Sequence, residues 1–99
     1  MFDRQKFISI VTYICIQLFE NGTPDITTIF WALYYVEMNY YELKENRMSG
    51  ETYIKGKTFP MPLNGFYLVV KIFFMFNYYN KDSLFSELLK INKMEDLKQ

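Results

Sequence analysis

Apolar residues near the start of the chain recur every three or four positions. Phe7, Ile10, Val11, Ile14 and Leu18 share one stripe, and Arg4, Lys6, Gln17 and Glu20 are left to face water. The spacing predicts an amphipathic helix over about residues 3 to 20, closed at Asn21-Gly22, where glycine supplies the left-handed conformation that ends helices. Thr23 reads as the cap of a second helix, with Pro24 at its first position, where no backbone donor is required, and Asp25 at the positive end of its dipole. This helix runs to about Glu45. Its stripe is Ile29, Leu33, Val36, Tyr40 and Leu43, widened by Phe30, Trp31, Tyr34 and Tyr41. A helix apolar over so much of its circumference is either central or in contact with a partner.

Between Asn46 and Met61 the helical period disappears. Gly50, Gly56 and Pro60 punctuate a stretch in which Thr52, Tyr53, Ile54, Thr58 and Phe59 favour extended backbone, so a loop with a short strand or hairpin is expected. A third helix is expected from Pro62 or Leu63 to about Tyr79, burying Phe66, Val69, Ile72, Phe73 and Phe76 and ending at Asn80. Asp82 or Ser83 would cap a fourth, with Leu84, Leu88 and Ile91 on one side and Phe85 and Leu89 beside them. The expected fold is mainly α, a small compact bundle of about four helices with an irregular or β-hairpin linker between helices 2 and 3. It forms a single domain over residues 1–93, followed by a frayed tail over 94–99.

Composition sharpens this picture through its aromatic residues. Ten Phe, nine Tyr and one Trp make up 20% of the 99 residues, so large rings should dominate the core. A chain of this length buries roughly 60 to 70% of the surface that its unfolded form exposes. Trp31, Tyr34, Tyr35, Tyr40, Tyr41, Tyr78 and Tyr79 cannot all turn inward, because sequence neighbours on a helix stand about 100° apart. Some therefore reach the surface. There they either let their hydroxyls meet water or form the kind of anchor enriched at binding hot spots.

Eleven basic and eleven acidic residues cancel, removing the broad attraction used by most nucleic-acid and anionic-membrane binders. Lys55-Gly56-Lys57, flanked by Tyr53 and Phe59, is a local spot where a single strand could stack, but a nucleic-acid partner is not expected. The most apolar run, Phe66 to Phe76, holds eleven residues including Lys71, short of the roughly 20 that a membrane span requires. No secretion signal is apparent, and the lone Cys15 cannot make an internal disulfide; a reducing cytoplasm is the expected location.

The chain has no histidine, which excludes Ser-His-Asp and Cys-His catalysis and histidine-based metal sites. One cysteine cannot build a thiolate zinc site, and Cys15 reads as core filler. Glu37, Glu42 and Glu45 share the second helix with Lys44, with Arg47 close by, and read as a solvated charged face. Neither an enzyme nor a cofactor is expected.

Three segments occur in an order with a counterpart among known families. Leu33-Tyr34-Tyr35-Val36-Glu37 is similar to a Leu-Leu-Tyr-aromatic-Ala-Asp helix, Met48 to Lys55 to an Ile-Thr-Gly-x-x-Tyr segment, and Phe59-Pro60-Met61-Pro62 to a Gly-Pro-Val-Pro turn. Together they resemble the Panacea antitoxin domain family, which includes SocA-like antitoxins. Trp31 stands where that family commonly has lysine, and Phe59 replaces the turn glycine. The resemblance implies a mainly helical domain that neutralises a cognate protein toxin by direct contact. Tyr34, Tyr35, Tyr53, Lys55 and Pro60 match or adjoin the family's motif positions and, with Trp31 and Phe59, are the candidates for contact or for shaping the contacting loop. The expected function is thus a non-catalytic, cytoplasmic protein-binding module. The alternative is a small inhibitor or accessory protein, encoded by a mobile element, that binds a host or defence protein. Spare aromatic surface also leaves room for a homodimer.

Overall fold

Asp3 stands in extended conformation ahead of α1 (Arg4–Leu18) and accepts a hydrogen bond from the Lys6 amide at 3.0 Å, satisfying one of the donors a helix start leaves open. The computed structural model describes residues 1–79, 83–84 and 86–90. A single 3₁₀ turn, Phe19–Asn21, follows α1, and Gly22 at φ 119° reverses the chain where Asn21-Gly22 predicts. α2 (Ile26–Lys44) starts later than its sequence signals suggest. Asp25, extended at ψ 145°, is the capping residue, and the first turn closes from the Thr28 amide to the Asp25 carbonyl at 3.0 Å. Thr23 and Pro24 therefore precede the helix; Pro24 directs the chain into it without occupying its first position. Glu45 ends α2 in the left-handed region at φ 52°.

The linker is a hairpin of β1 (Tyr53–Lys55) and β2 (Pro60–Pro62), paired antiparallel as Tyr53 with Pro62, Ile54 with Met61 and Lys55 with Pro60. It docks on the side of α2, through β2. α3 (Phe66–Tyr78) begins beyond the expected Pro62 or Leu63, because Pro62 is committed to β2 and residues 63–65 make the turn between them. Residues 83–84 and 86–90 are helical, and Leu84 and Leu88 join the core while Leu89 is exposed. Asn80, Asp82, Phe85, Ile91 and the 94–99 segment, all singled out in the sequence, lie outside the described residues.

The core lies between α1, α2 and α3. Phe7, Val11, Cys15, Ile29, Leu33, Val69 and Ile72 are fully buried there, each contributing on the order of 1.5–3 kcal/mol if it is a large aliphatic or aromatic side chain. The inward face of α1 is centred nearer Ile8 and Cys15 than Ile10 and Leu18, which are only half-buried. In α3, Leu68 and Met75 are buried, Phe73 and Phe76 are half-buried, and Phe66 is exposed at its edge. On α2 the predicted stripe holds for Ile29 and Leu33 and then fails, since Val36 and Leu43 are exposed and Glu37 is buried. The last turns of α2 face the 46–61 linker, whose Ser49 and Tyr53 present polar groups that an apolar side chain could not satisfy.

Gly65 packs flat on the Phe7 ring, in space that any Cβ would fill. Gly50 takes φ 76° against the Met1 backbone, while the Asp3 amide donates to the Ser49 carbonyl at 2.6 Å. These contacts fix the linker to the start of α1 as well as to α2. Among the described residues no helix is long and apolar enough to cross a membrane.

Candidate protein-binding site

Two buried carboxylates hold the hairpin in place. Glu37, 5% exposed, accepts from the Ser49 amide at 3.2 Å, from the Ser49 hydroxyl and from the Tyr53 hydroxyl. Glu51, 6% exposed, accepts from the Thr52 amide at 2.8 Å, the Asn64 amide at 3.0 Å and the Gly65 amide at 2.5 Å. The Asn64 side-chain amide donates to it as well, at 3.0 Å. Glu51 thus places a negative charge at the start of α3, where the helix dipole favours one. Burial, the hydrogen bond to Glu37 and the charges of Glu37 and Glu51 push the Tyr53 hydroxyl well above its ordinary pKa of 10.0, so it remains a donor. Glu37 is therefore no part of a solvated face, and the reading of Glu37, Glu42 and Glu45 as one charged surface is corrected. Glu42 and Glu45 are exposed.

This anchoring lines up aromatic rings from two elements. Trp31, Tyr34, Met38 and Tyr41, three or four residues apart, run along one side of α2, and β1 stands opposite. The Tyr34 and Tyr53 rings meet edge to face at 5.5 Å, with a cleft on either side of the pair. One cleft, of about 350 Å³, runs past Glu37, Tyr41, Arg47 and Thr52. The other, of about 440 Å³, lies between Trp31 and the stretch from Ile54 to Pro60. The Trp31 indole donates to the Thr58 carbonyl at 3.0 Å and so ties α2 to the hairpin tip. Beneath the tip Phe59 stacks on Phe30, with centroids 4.4 Å apart and planes 13° apart, and the Phe66 ring lies 5.3 Å from Phe30 and 6.5 Å from Phe59.

The structure gathers the residues singled out in the sequence but gives them different surroundings. Trp31, Tyr34, Tyr53, Lys55, Phe59 and Pro60 all line the larger cleft, and Tyr35 stacks on Trp31 at its margin, with centroids 5.6 Å apart. Trp31, Tyr35 and Lys55 are exposed. Tyr34, Tyr53 and Phe59 are half-buried, and Pro60 is buried. Phe59 and Pro60 consequently shape the wall more than they offer surface, because ring stacking and strand pairing already occupy them. Sequence reasoning did not group Met38, Tyr41 and Arg47 with Thr52 and Tyr53, since only the return of the chain beside α2 brings them together. For Glu37 a signal was present: it follows Ile29 and Leu33 at four-residue spacing, on the buried line of α2.

The fold and groove define a small helical domain in which a hairpin and one helix frame an open aromatic surface. Among the described residues no three Cys, Asp or Glu side chains are grouped so as to hold a metal ion. Comparison with protein-family models, with curated proteins and with solved structures returns no match.

Proposed function

We propose that the chain is a non-catalytic protein-binding module that acts as an antitoxin, covering a cognate protein toxin with the groove between α2 and the hairpin. The observation that carries this reading is the convergence of three sequence segments on one surface. Glu37 accepts hydrogen bonds from Ser49 and Tyr53, and β1 pairs with Pro60–Pro62, so the segments resembling Panacea antitoxin motifs form one connected unit. Above that unit lie Trp31, Tyr34 and Tyr35, rings large enough to anchor a partner, the two tyrosines with hydroxyls that can hydrogen-bond to it.

The test is co-expression with the protein encoded by the adjacent reading frame, scored by growth and by the affinity of the purified pair. Growth should be arrested by the neighbour alone and restored by this chain. A Trp31→Ala, Tyr34→Ala variant that keeps its circular dichroism should bind at least about thirtyfold more weakly, the loss expected of hot-spot rings. A harmless neighbour, or protection undiminished in the variant, would count against the antitoxin reading. Binding instead to a host or defence protein would favour an inhibitor.

A further inference from the structure

We infer that the groove takes its partner as an added β-strand: an extended, acidic segment of a protein chain that pairs with the open edge of β1. This inference rests on the protein-binding reading above and specifies how the binding is made.

The prolines of β2 decide which way the hairpin's backbone groups point. In an antiparallel pair, residues that exchange hydrogen bonds alternate with residues whose N–H and C=O groups point outward. Pro60 and Pro62 have no N–H to exchange, so Ile54 and Met61 form the hydrogen-bonded pair. The Leu63 amide donates to the Thr52 carbonyl at 2.8 Å, the next inward-facing position, as this alternation requires. The backbone groups of Tyr53 and Lys55 therefore point away from β2, and no other backbone or side-chain group among the described residues bonds to them.

The same prolines close the opposite edge. The outward positions of β2 are Pro60 and Pro62, which offer no donor, and β2 packs against α2. The sheet can thus grow at β1 alone. β1 is short, three residues or about 10 Å, which limits unwanted aggregation while still offering a matched set of two donors and two acceptors. Side chains of an added strand on its α2 side would meet Trp31 and Tyr34 in the cleft, and the half-exposed Ile54 gives the other face an apolar neighbour.

Charge sets the chemistry of the occupant. Lys55 and Lys57 are exposed, make no ion pair among the described residues, and share their cleft with no acidic residue. An acidic side chain on the partner would answer them. A second copy of this chain pairing β1 to β1 would instead bring the two Lys55 and Lys57 sets together. A nucleic-acid backbone could meet the lysines, but its phosphates carry no donors for the Tyr53 and Lys55 carbonyls.

The experiment is a selection of short random peptides displayed against the purified protein, followed by amide hydrogen exchange with the enriched peptides. Selected sequences should combine Asp or Glu with β-favouring residues and should slow exchange at Tyr53 and Lys55 while leaving the already bonded Ile54 amide unchanged. Lys55→Glu with Lys57→Glu, both exposed and safe for the fold, should weaken them about tenfold or more, and peptides with Lys in place of the acids should recover binding to that variant. Failure to enrich any peptide, enrichment of neutral or basic ones, or protection elsewhere overturns strand addition. So does displacement by oligothymidylate that itself binds through the lysines. If the neighbouring protein is still captured with no protection at Tyr53 and Lys55, the binding module stands and only the strand mode falls.

Discussion

Glu37 sits where helical periodicity calls for an apolar side chain, and the burial of its carboxylate is tolerable only because Ser49 and Tyr53 bring it donors. Replacing it with alanine leaves those donors buried without an acceptor. Glu37→Ala should lower unfolding free energy by about 3 kcal/mol and Glu37→Gln, which keeps one acceptor oxygen, by about 1 kcal/mol. Urea titrations of both variants check the order; equal losses would mean that one amide oxygen cannot stand in for the carboxylate and that both of its oxygens are needed by Ser49 and Tyr53. The four-residue step from Leu33 to Glu37 is visible in the sequence, but its meaning is not. A glutamate on that line is read as solvated unless the donors are known, and they come from residues 12 and 16 positions further along the chain.

α2 buries Ile29 and Leu33 in the core along its first half, where Trp31 also holds the hairpin tip, and turns Glu37 to Ser49 and Tyr53 in its second, which explains why one stripe cannot describe it. Its end carries a local cost, since Glu45 holds φ 52°, a conformation that a Cβ disfavours. Glu45→Gly should therefore stabilise the protein by about 0.5–1 kcal/mol, seen as a higher melting temperature; a lower one would show that the exposed Glu45 side chain contributes more than its backbone costs. The hairpin itself was legible from Gly50, Gly56 and the prolines, and its strand positions follow from the β-favouring residues between them. The late start of α3 was not. Proline suits the first turn of a helix and a strand edge equally well, and the choice is made by pairing with Tyr53–Lys55 and by Glu51 collecting the Asn64 and Gly65 amides.

Across the molecule the aromatic residues divide between a sealed core around Phe7 and Phe30 and exposed rows on α2 and α3, with Tyr67, Phe74 and Tyr78 forming the latter. Cys15 and Tyr53 couple the fold to alkaline pH. Burial pushes the Cys15 thiol from its ordinary 9.0 up to about 12, and the Tyr53 hydroxyl is likewise raised. Above pH 9 the unfolded chain releases protons that the folded chain keeps, so this contribution to stability is full below 9.0 and is lost as pH rises toward about 12. The urea midpoint should fall between about pH 8 and about pH 11, and less steeply in Cys15→Ala. A midpoint that does not move over that interval would contradict the burial of these groups in solution.

The sequence by itself determined the helices, the break between the second and third, the aromatic core and the absence of histidine chemistry. These depend on residues near one another in the chain or on composition alone, so periodicity, Gly and Pro suffice to read them. Only the tertiary structure decided which rings stay exposed, that Glu37 and Glu51 are internal, and that β1, beside Trp31 and Tyr34, pairs with β2 alone among the described residues. Each of these depends on a contact between distant segments, and a side chain's partner across space leaves no period in the sequence that carries it.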